Sequence, residues 1–237
     1  RYIYRLQGDW DRALDVAAEA IRRNPTDPEA HKLRGDIRKD AGDYDRAIED
    51  YSEAIRLNPQ YVSAYNSRGI ARAIHDDPAQ TIVDFDMALN LNPRLASAYN
   101  NRGMARHSQG DLEGAIKDYD EAIRLDPQYA LAYMNRGRTR YDQGDPAGAV
   151  ADYDEAIWLN PQLAVAFSNR GRIRQDQGDV AGAIADFDEA IRLDPQFAAA
   201  FHNRGSARRE QGDLAGAIAD FDEVLRLNPQ QHAAVYC

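Results

Sequence analysis

Residues 164–197 carry two stretches of helical periodicity. Phe167, Gly171 and Arg174 are spaced by four and three in the first, and Ala183, Phe187, Ala190 and Ile191 keep the same rhythm in the second. That spacing places side chains on one face of an α-helix. Gly178 separates the two, and Asp179 follows where an N-cap belongs, with an oxygen available to an otherwise unpaired backbone N–H. In two equivalent places the next residue is Pro78 or Pro146, the favoured first helical position. The second stretch ends before Pro195, because the residue preceding a proline is steered out of the α region. The pattern predicts helix, tight turn, helix, turn, and turns this short force an antiparallel αα-hairpin.

The same pattern returns along the whole chain. Pro25, Pro59, Pro93, Pro127, Pro161, Pro195 and Pro229 are each 34 residues from the next, and each follows Asn or Asp. A fixed period in this range marks one supersecondary unit, copied and stacked. The cap aspartate recurs as Asp9, Asp43, Asp77, Asp111, Asp145, Asp179 and Asp213. Small residues mark close helix contact: Gly35, Gly69, Gly103, Gly137, Gly171 and Gly205 in first helices, and alanines such as Ala115 and Ala183 in second helices. Aromatics fill the space opposite, Tyr99 and Phe167 from first helices, Tyr119 and Phe187 from second ones.

An aromatic, Gly four residues on, Ala twelve after that, a second aromatic, a small Ala and a closing Pro resemble the tetratricopeptide repeat, in an array of bacterial type. The resemblance covers essentially the whole chain. It implies an all-α fold, a right-handed superhelical α-solenoid of stacked antiparallel helix pairs, read as one array over residues 1–237. The divisions are a partial unit 1–27, units 28–61, 62–95, 96–129, 130–163, 164–197 and 198–231, and the start of a further helix at 232–237. Departures are Ala17 for an aromatic, His31 at the head of its unit, Asp76 for the turn Gly, Thr81 for Ala and Val224 for the last Ala. A systematic one is arginine just before each Gly, from Arg34 and Arg68 to Arg204, where the family has a large apolar residue.

A second arginine series, Arg38 to Arg208, lies four residues on and so shares a helix face with the first. Two aspartate series, Asp50 to Asp220 and Asp86 to Asp222, run along the second helices. Equal periods suggest a charge ladder between stacked hairpins, since a half-buried arginine needs a partner. The competing reading is a positive stripe for phosphate or RNA, but acids recur as often as bases and the formal net charge is −10, with 39 acids against 29 bases. Asp-x-Asp pairs point about 200° apart on a helix and cannot chelate one ion. The five histidines never fall at His-x-x-x-His spacing, Cys237 is the one cysteine, and Gly-Asp-x-x-Gly-Ala lacks the Gly-Lys-Ser/Thr ending of a phosphate loop. The expectation is a chain without catalytic activity, cofactor or metal. No apolar run reaches the length of a membrane span. A cytoplasmic location is expected, with the periplasm as the alternative, because Arg1 falls in mid-helix register and the chain reads as a piece of a longer protein.

Positions that break the repeat carry the binding information. The resemblance implies that first helices line a concave groove. Its candidate contacts are Asn66, Ile70, Ile74, Asn100, Asn101, Met104, Leu131, Met134, Asn135, Arg138, Tyr141, Asn169, Arg172, His202 and Asn203. Ile70, Ile74, Met104, Leu131, Met134 and Tyr141 would form an apolar patch, a usual mark of contact. Asn101, Asn135, Asn169 and Asn203 would form a ladder of amides, suited either to a peptide main chain or to bonds within the array. The family's carboxylate clamp is not matched: Lys32 is followed by Asp36, Ser67 stands for Asn and Ser97 for Lys. Trp158 replaces an arginine and is expected to pack on the next hairpin. The implied function is an interaction scaffold that holds a peptide or helix of another protein. The alternatives are a self-assembling or regulatory arm of a larger protein and, with less support, an RNA-binding helical repeat. The partner is expected to be a protein, the chain itself included, with neither nucleic-acid binding nor membrane insertion.

Overall fold

The computed structural model describes residues 9–75 and 77–228. Asp76, Pro229, His232, Cys237 and the further helix expected at 232–237 lie outside them. Every regular element among the described residues is a helix: α1 Trp10–Arg23, α2 Pro28–Asp40, α3 Tyr44–Leu57, α4 Val62–Ile74, α5 Pro78–Leu91, α6 Ala96–Ser108, α7 Leu112–Leu125, α8 Ala130–Asp142, α9 Pro146–Leu159, α10 Ala164–Asp176, α11 Val180–Leu193, α12 Ala198–Gln211 and α13 Leu214–Leu227. They divide after Pro127 into two compact units. The first holds α1 and the hairpins α2–α3, α4–α5 and α6–α7; the second holds α8–α9, α10–α11 and α12–α13. Within each unit, a hairpin packs on the next through its second helix against the following first helix.

The seven cap aspartates act as the sequence predicts. Each side chain accepts from the backbone N–H three residues on, at 3.3 Å where that residue is Arg or Gln (Asp9, Asp43, Asp77) and at 2.9–3.0 Å where it is Gly (Asp111, Asp145, Asp179, Asp213). The glycine has a reason beyond turn formation, because a Cβ on Gly114 would lie 2.1 Å from an Asp111 oxygen. At the other end, Asn58, Asn160 and Asp194 adopt extended backbone, and their side chains accept from the residue after the proline at 3.0–3.1 Å. The residue that stops the helix thus also fastens the turn.

Each hairpin closes over a glycine. Tyr119 lies against Gly103 so closely that a Cβ there would come within 2.7 Å of its ring. Beside that contact sits a buried carboxylate. Asp118 is 3 % exposed and bonds Arg102 Nη2 at 2.6 Å and Arg106 Nη1 at 2.8 Å. The same clamp joins Asp50, Asp84, Asp152, Asp186 and Asp220 to their arginine pairs. The clamp lies inside a hairpin, not between hairpins as the equal periods suggested: two turns of one helix face one turn of its antiparallel neighbour. A second link does run to the preceding hairpin. Arg102 reaches Asp86, Arg170 reaches Asp154 and Arg204 reaches Asp188, each at 2.6 Å, while Arg68 bonds Ser52 Oγ at 3.0 Å. The guanidiniums also lie 5.4–5.7 Å from the ring centres of Tyr65, Tyr99, Tyr133, Phe167 and Phe201, three residues earlier. Burial works against the charged form of Arg102, and its bonds to Asp118 and Asp86 more than offset that, so its pKa is raised.

Trp158 is 75 % exposed and does not pack on the next hairpin. Its position faces outward in the sister units. There Arg56, Arg124, Arg192 and Arg226 bond the surface glutamates Glu53, Glu121, Glu189 and Glu223 three residues earlier, and Trp158 inherits that direction. Thr81, in place of Ala, is accommodated because its hydroxyl donates to Asp77 O at 2.7 Å.

Removing Asp118 leaves two half-buried guanidiniums without their shared partner. Asp118→Ala is expected to lower stability by about 3–5 kcal/mol, whereas Glu121→Ala, at the exposed pair with Arg124, leaves the urea midpoint unchanged. Comparison of the two midpoints checks this. Buried tyrosines give a pH effect. Burial pushes Tyr153 up to about 12, against the opposing pull of Arg172, the bond from Asn169 and Arg138. The unfolded chain therefore loses this proton first as pH rises past 10, and stability falls between pH 10 and about 12. Tyr153→Phe should escape on the order of 2 kcal/mol of that loss, seen by comparing urea midpoints at about pH 9 and about pH 11.5.

Candidate functional site

In the unit up to Pro127, first helices α4 and α6 hold the expected contacts around a concave apolar pocket of about 370 Å³, lined by Ile70, Ile74, Asn101 and Met104 and backed by Phe85 and Ala73. Ile74 is 55 % and Met104 50 % exposed. The opening follows from two local departures. Position twelve of this unit is Ala73, where sister units have Lys39, His107, Tyr141, Gln175 and Arg209. The next position is Ile74, where they have Asp40, Ser108, Asp142, Asp176 and Glu210. A small residue leaves space, and an apolar one replaces a polar or charged side chain at its rim. Phe85 was not among the expected contacts. Phe85 reads in sequence as a gap filler, yet it also lines the pocket.

Asn101 donates to Asn66 Oδ1 at 3.4 Å, so two of the expected amides meet. Asn100 does not serve as a surface contact. It is 3 % exposed, turned back toward Asn101 Oδ1 at 3.4 Å and Met104 Sδ at 3.8 Å within its own helix.

In residues 128–228 the expected apolar patch shrinks. Met134 and Tyr141 are half-buried against a core of Ala149, Tyr153, Ala166 and Ile173, and Leu131 alone of the three is exposed, at 42 %. What this face presents is polar. Arg138 and Arg172 are exposed. The Arg172 guanidinium lies 4.8 Å from the Tyr141 ring centre, and the Tyr141 hydroxyl donates to Asp176 at 2.7 Å. Asn169 and Ser67 stand at the same register, and each lowers the pKa of a buried hydroxyl, that of Tyr153 and of Tyr51. Asn135 and Asn203 are half-buried, and His202 is exposed with its ring 5.7 Å from Phe221. Among the described residues no group of three or more His, Cys, Asp or Glu could hold a metal ion, and no helix is long and apolar enough to cross a membrane.

Comparison with known proteins places this geometry. Family models described as TPR repeat match residues 35–73 and 103–144, and models described as tetratricopeptide repeat match 2–37, 130–163 and 168–232. No protein with a curated function matches the sequence. Among solved structures, the chain is similar to one from the APC/C hetero-tetramer Cut9-Hcn1, at 17% identity and a TM-score of 0.83 over 95% of this chain, spanning 45% of that one. It is similar to pilF of Pseudomonas aeruginosa at 19% identity and 0.77, covering 87% of this chain and 96% of that one. YrrB, a TPR protein with an unusual peptide-binding site, matches at 20% identity and 0.60, covering 80% and 97%. Period, hairpin geometry and matched models agree, and the chain belongs to the tetratricopeptide repeat family.

Proposed function

We propose that the chain is a non-catalytic interaction scaffold whose first-helix face binds a peptide or helix of another protein, with the Ile70–Ile74–Met104 pocket taking an apolar side chain of that partner. The pocket is the observation that carries this reading. A water-exposed apolar recess costs solubility and is filled favourably by an apolar group. Its thioether adapts to differently shaped side chains, and the amides of Asn66 and Asn101 beside it can meet a main chain. YrrB shows that the fold can accommodate a peptide-binding site.

The chain has three methionines, which makes the test direct. A peptide selected from a displayed random library is titrated into protein carrying ¹³C-methyl methionine. The Met104 resonance is expected to shift while that of Met87, on the second helix α5, stays in place. Ile74→Asp with Met104→Asp should weaken binding at least about tenfold, equivalent to roughly 1.4 kcal/mol, without loss of helical circular dichroism. Peptides that bind with equal affinity to the double variant would remove the pocket from the function.

A further inference from the structure

Basic side chains in this protein are almost all committed. Lys32, Lys39 and Lys117 pair with Asp36, Asp40 and Glu113, and the arginines of the clamps and outer helix faces pair with carboxylates as described above. Among the described residues the arginines without an ion pair are Arg94, Arg138, Arg172 and Arg209, and of these all but Arg94 project from the first helices of residues 128–228. In a chain of net charge −10, three uncommitted arginines on the first helices are a selective feature.

Arg138 and Arg172 occupy the same register on the consecutive first helices α8 and α10, and both are exposed. The hairpins that carry them pack on one another through α9 against α10, so the two arginines sit one repeat apart on the same face, and both lower the pKa of the buried Tyr153 hydroxyl. Each has a carboxylate four residues on, Asp142 and Asp176, but neither pair closes. A base preceding its acid is the weaker order for such a pair on a helix. Asp176 instead accepts from Tyr141, whose ring holds the Arg172 guanidinium over its face. Glu210 is likewise taken by Gln175, at 3.1 Å. Arg172 is therefore positioned by its neighbours while its N–H groups remain free of a carboxylate.

We propose that Arg138 and Arg172 form a subsite for the carboxylate side chains of an acidic segment of a partner protein. Planar guanidiniums offer paired N–H groups that match a carboxylate in geometry as well as charge. The inference rests on the first helices being the binding face, but it uses residues remote in sequence from the apolar pocket and can fail separately.

The test uses the full chain and two fluorescein-labelled dodecapeptides, one alternating Glu and Ala, the other alternating Gln and Ala. Ionic strength is set so that the screening length is about 8 Å and long-range repulsion from the net charge is damped. The Glu peptide is expected to bind at least about tenfold more tightly than the Gln peptide. Arg138→Gln with Arg172→Gln should abolish the difference, and the Met134 methyl resonance on α8 should shift with the Glu peptide in the parent only. Arg94→Gln, an exposed unpaired arginine away from this face, should leave the difference intact. So should Ile74→Asp with Met104→Asp, which reports on the apolar pocket alone. Equal binding of the two peptides, a preference that survives the double Arg variant, or tighter binding of oligouridylate through the same two arginines would overturn the proposal.

Discussion

A buried aspartate held by two arginines sets the geometry of every hairpin. A carboxylate at 0–3 % exposure, as at Asp84 and Asp118, is tolerated only with its charge met and its lone pairs filled. Two arginines one helical turn apart do both, and they can do so only when the second helix runs antiparallel at one depth and one rotation. In five of the six pairs the first arginine also stacks on the aromatic three residues earlier and, where an Asp or Ser is available, reaches back to the preceding hairpin. A residue that the family fills with an apolar side chain thereby becomes a junction between ring, carboxylate and neighbouring unit. The apolar part of the hairpin can then be slight, a glycine under a ring and a few alanines.

That commitment decides where variation is tolerated. A repeat whose clamp, cap aspartate, ring and glycine are fixed leaves a few first-helix positions free to change. In residues up to Pro127 two of them became Ala73 and Ile74, and a recess opened over Phe85. In residues 128–228 the same two positions hold Tyr141, Gln175 and Arg209, then Asp142, Asp176 and Glu210, while Arg138 and Arg172 stand in the place of Ile70, and Tyr141 contacts both Arg172 and Asp176. One scaffold thus presents an apolar recess in one unit and a cationic polar surface in the other.

Much of this was legible in the sequence because it repeats. The prolines gave the helix ends, the aspartates after each turn gave the caps, and the glycine–ring contact follows from small and large residues at constant offset. The arginine and aspartate series were legible as partners but not in their connection, because a constant period cannot say whether a bond joins two helices of one unit or of neighbouring units. Trp158 went astray because its burial depends on which way its helix faces, a direction legible only from the Glu–Arg pairs in sister units. Asn100 went astray similarly: register placed it on the first-helix face with Asn66 and His202, but its amide folds back on Asn101 and Met104 of its own helix. Phe85 was missed since one ring can serve as core for one hairpin and floor for a pocket. The polar character of residues 128–228 was present in Arg138 and Arg172 but obscured by pooling them with Met134 and Tyr141, which pack into the core.

The claim that the shared carboxylate organises each hairpin is tested most directly by a double-mutant cycle on α10–α11. Asp186→Ala, Arg174→Ala and the double variant are compared by urea unfolding. A cooperative clamp predicts a coupling on the order of 2 kcal/mol, with the double variant losing much less than the sum of the single losses. Losses that add would mean that Asp186 and Arg174 act independently, and would contradict the account.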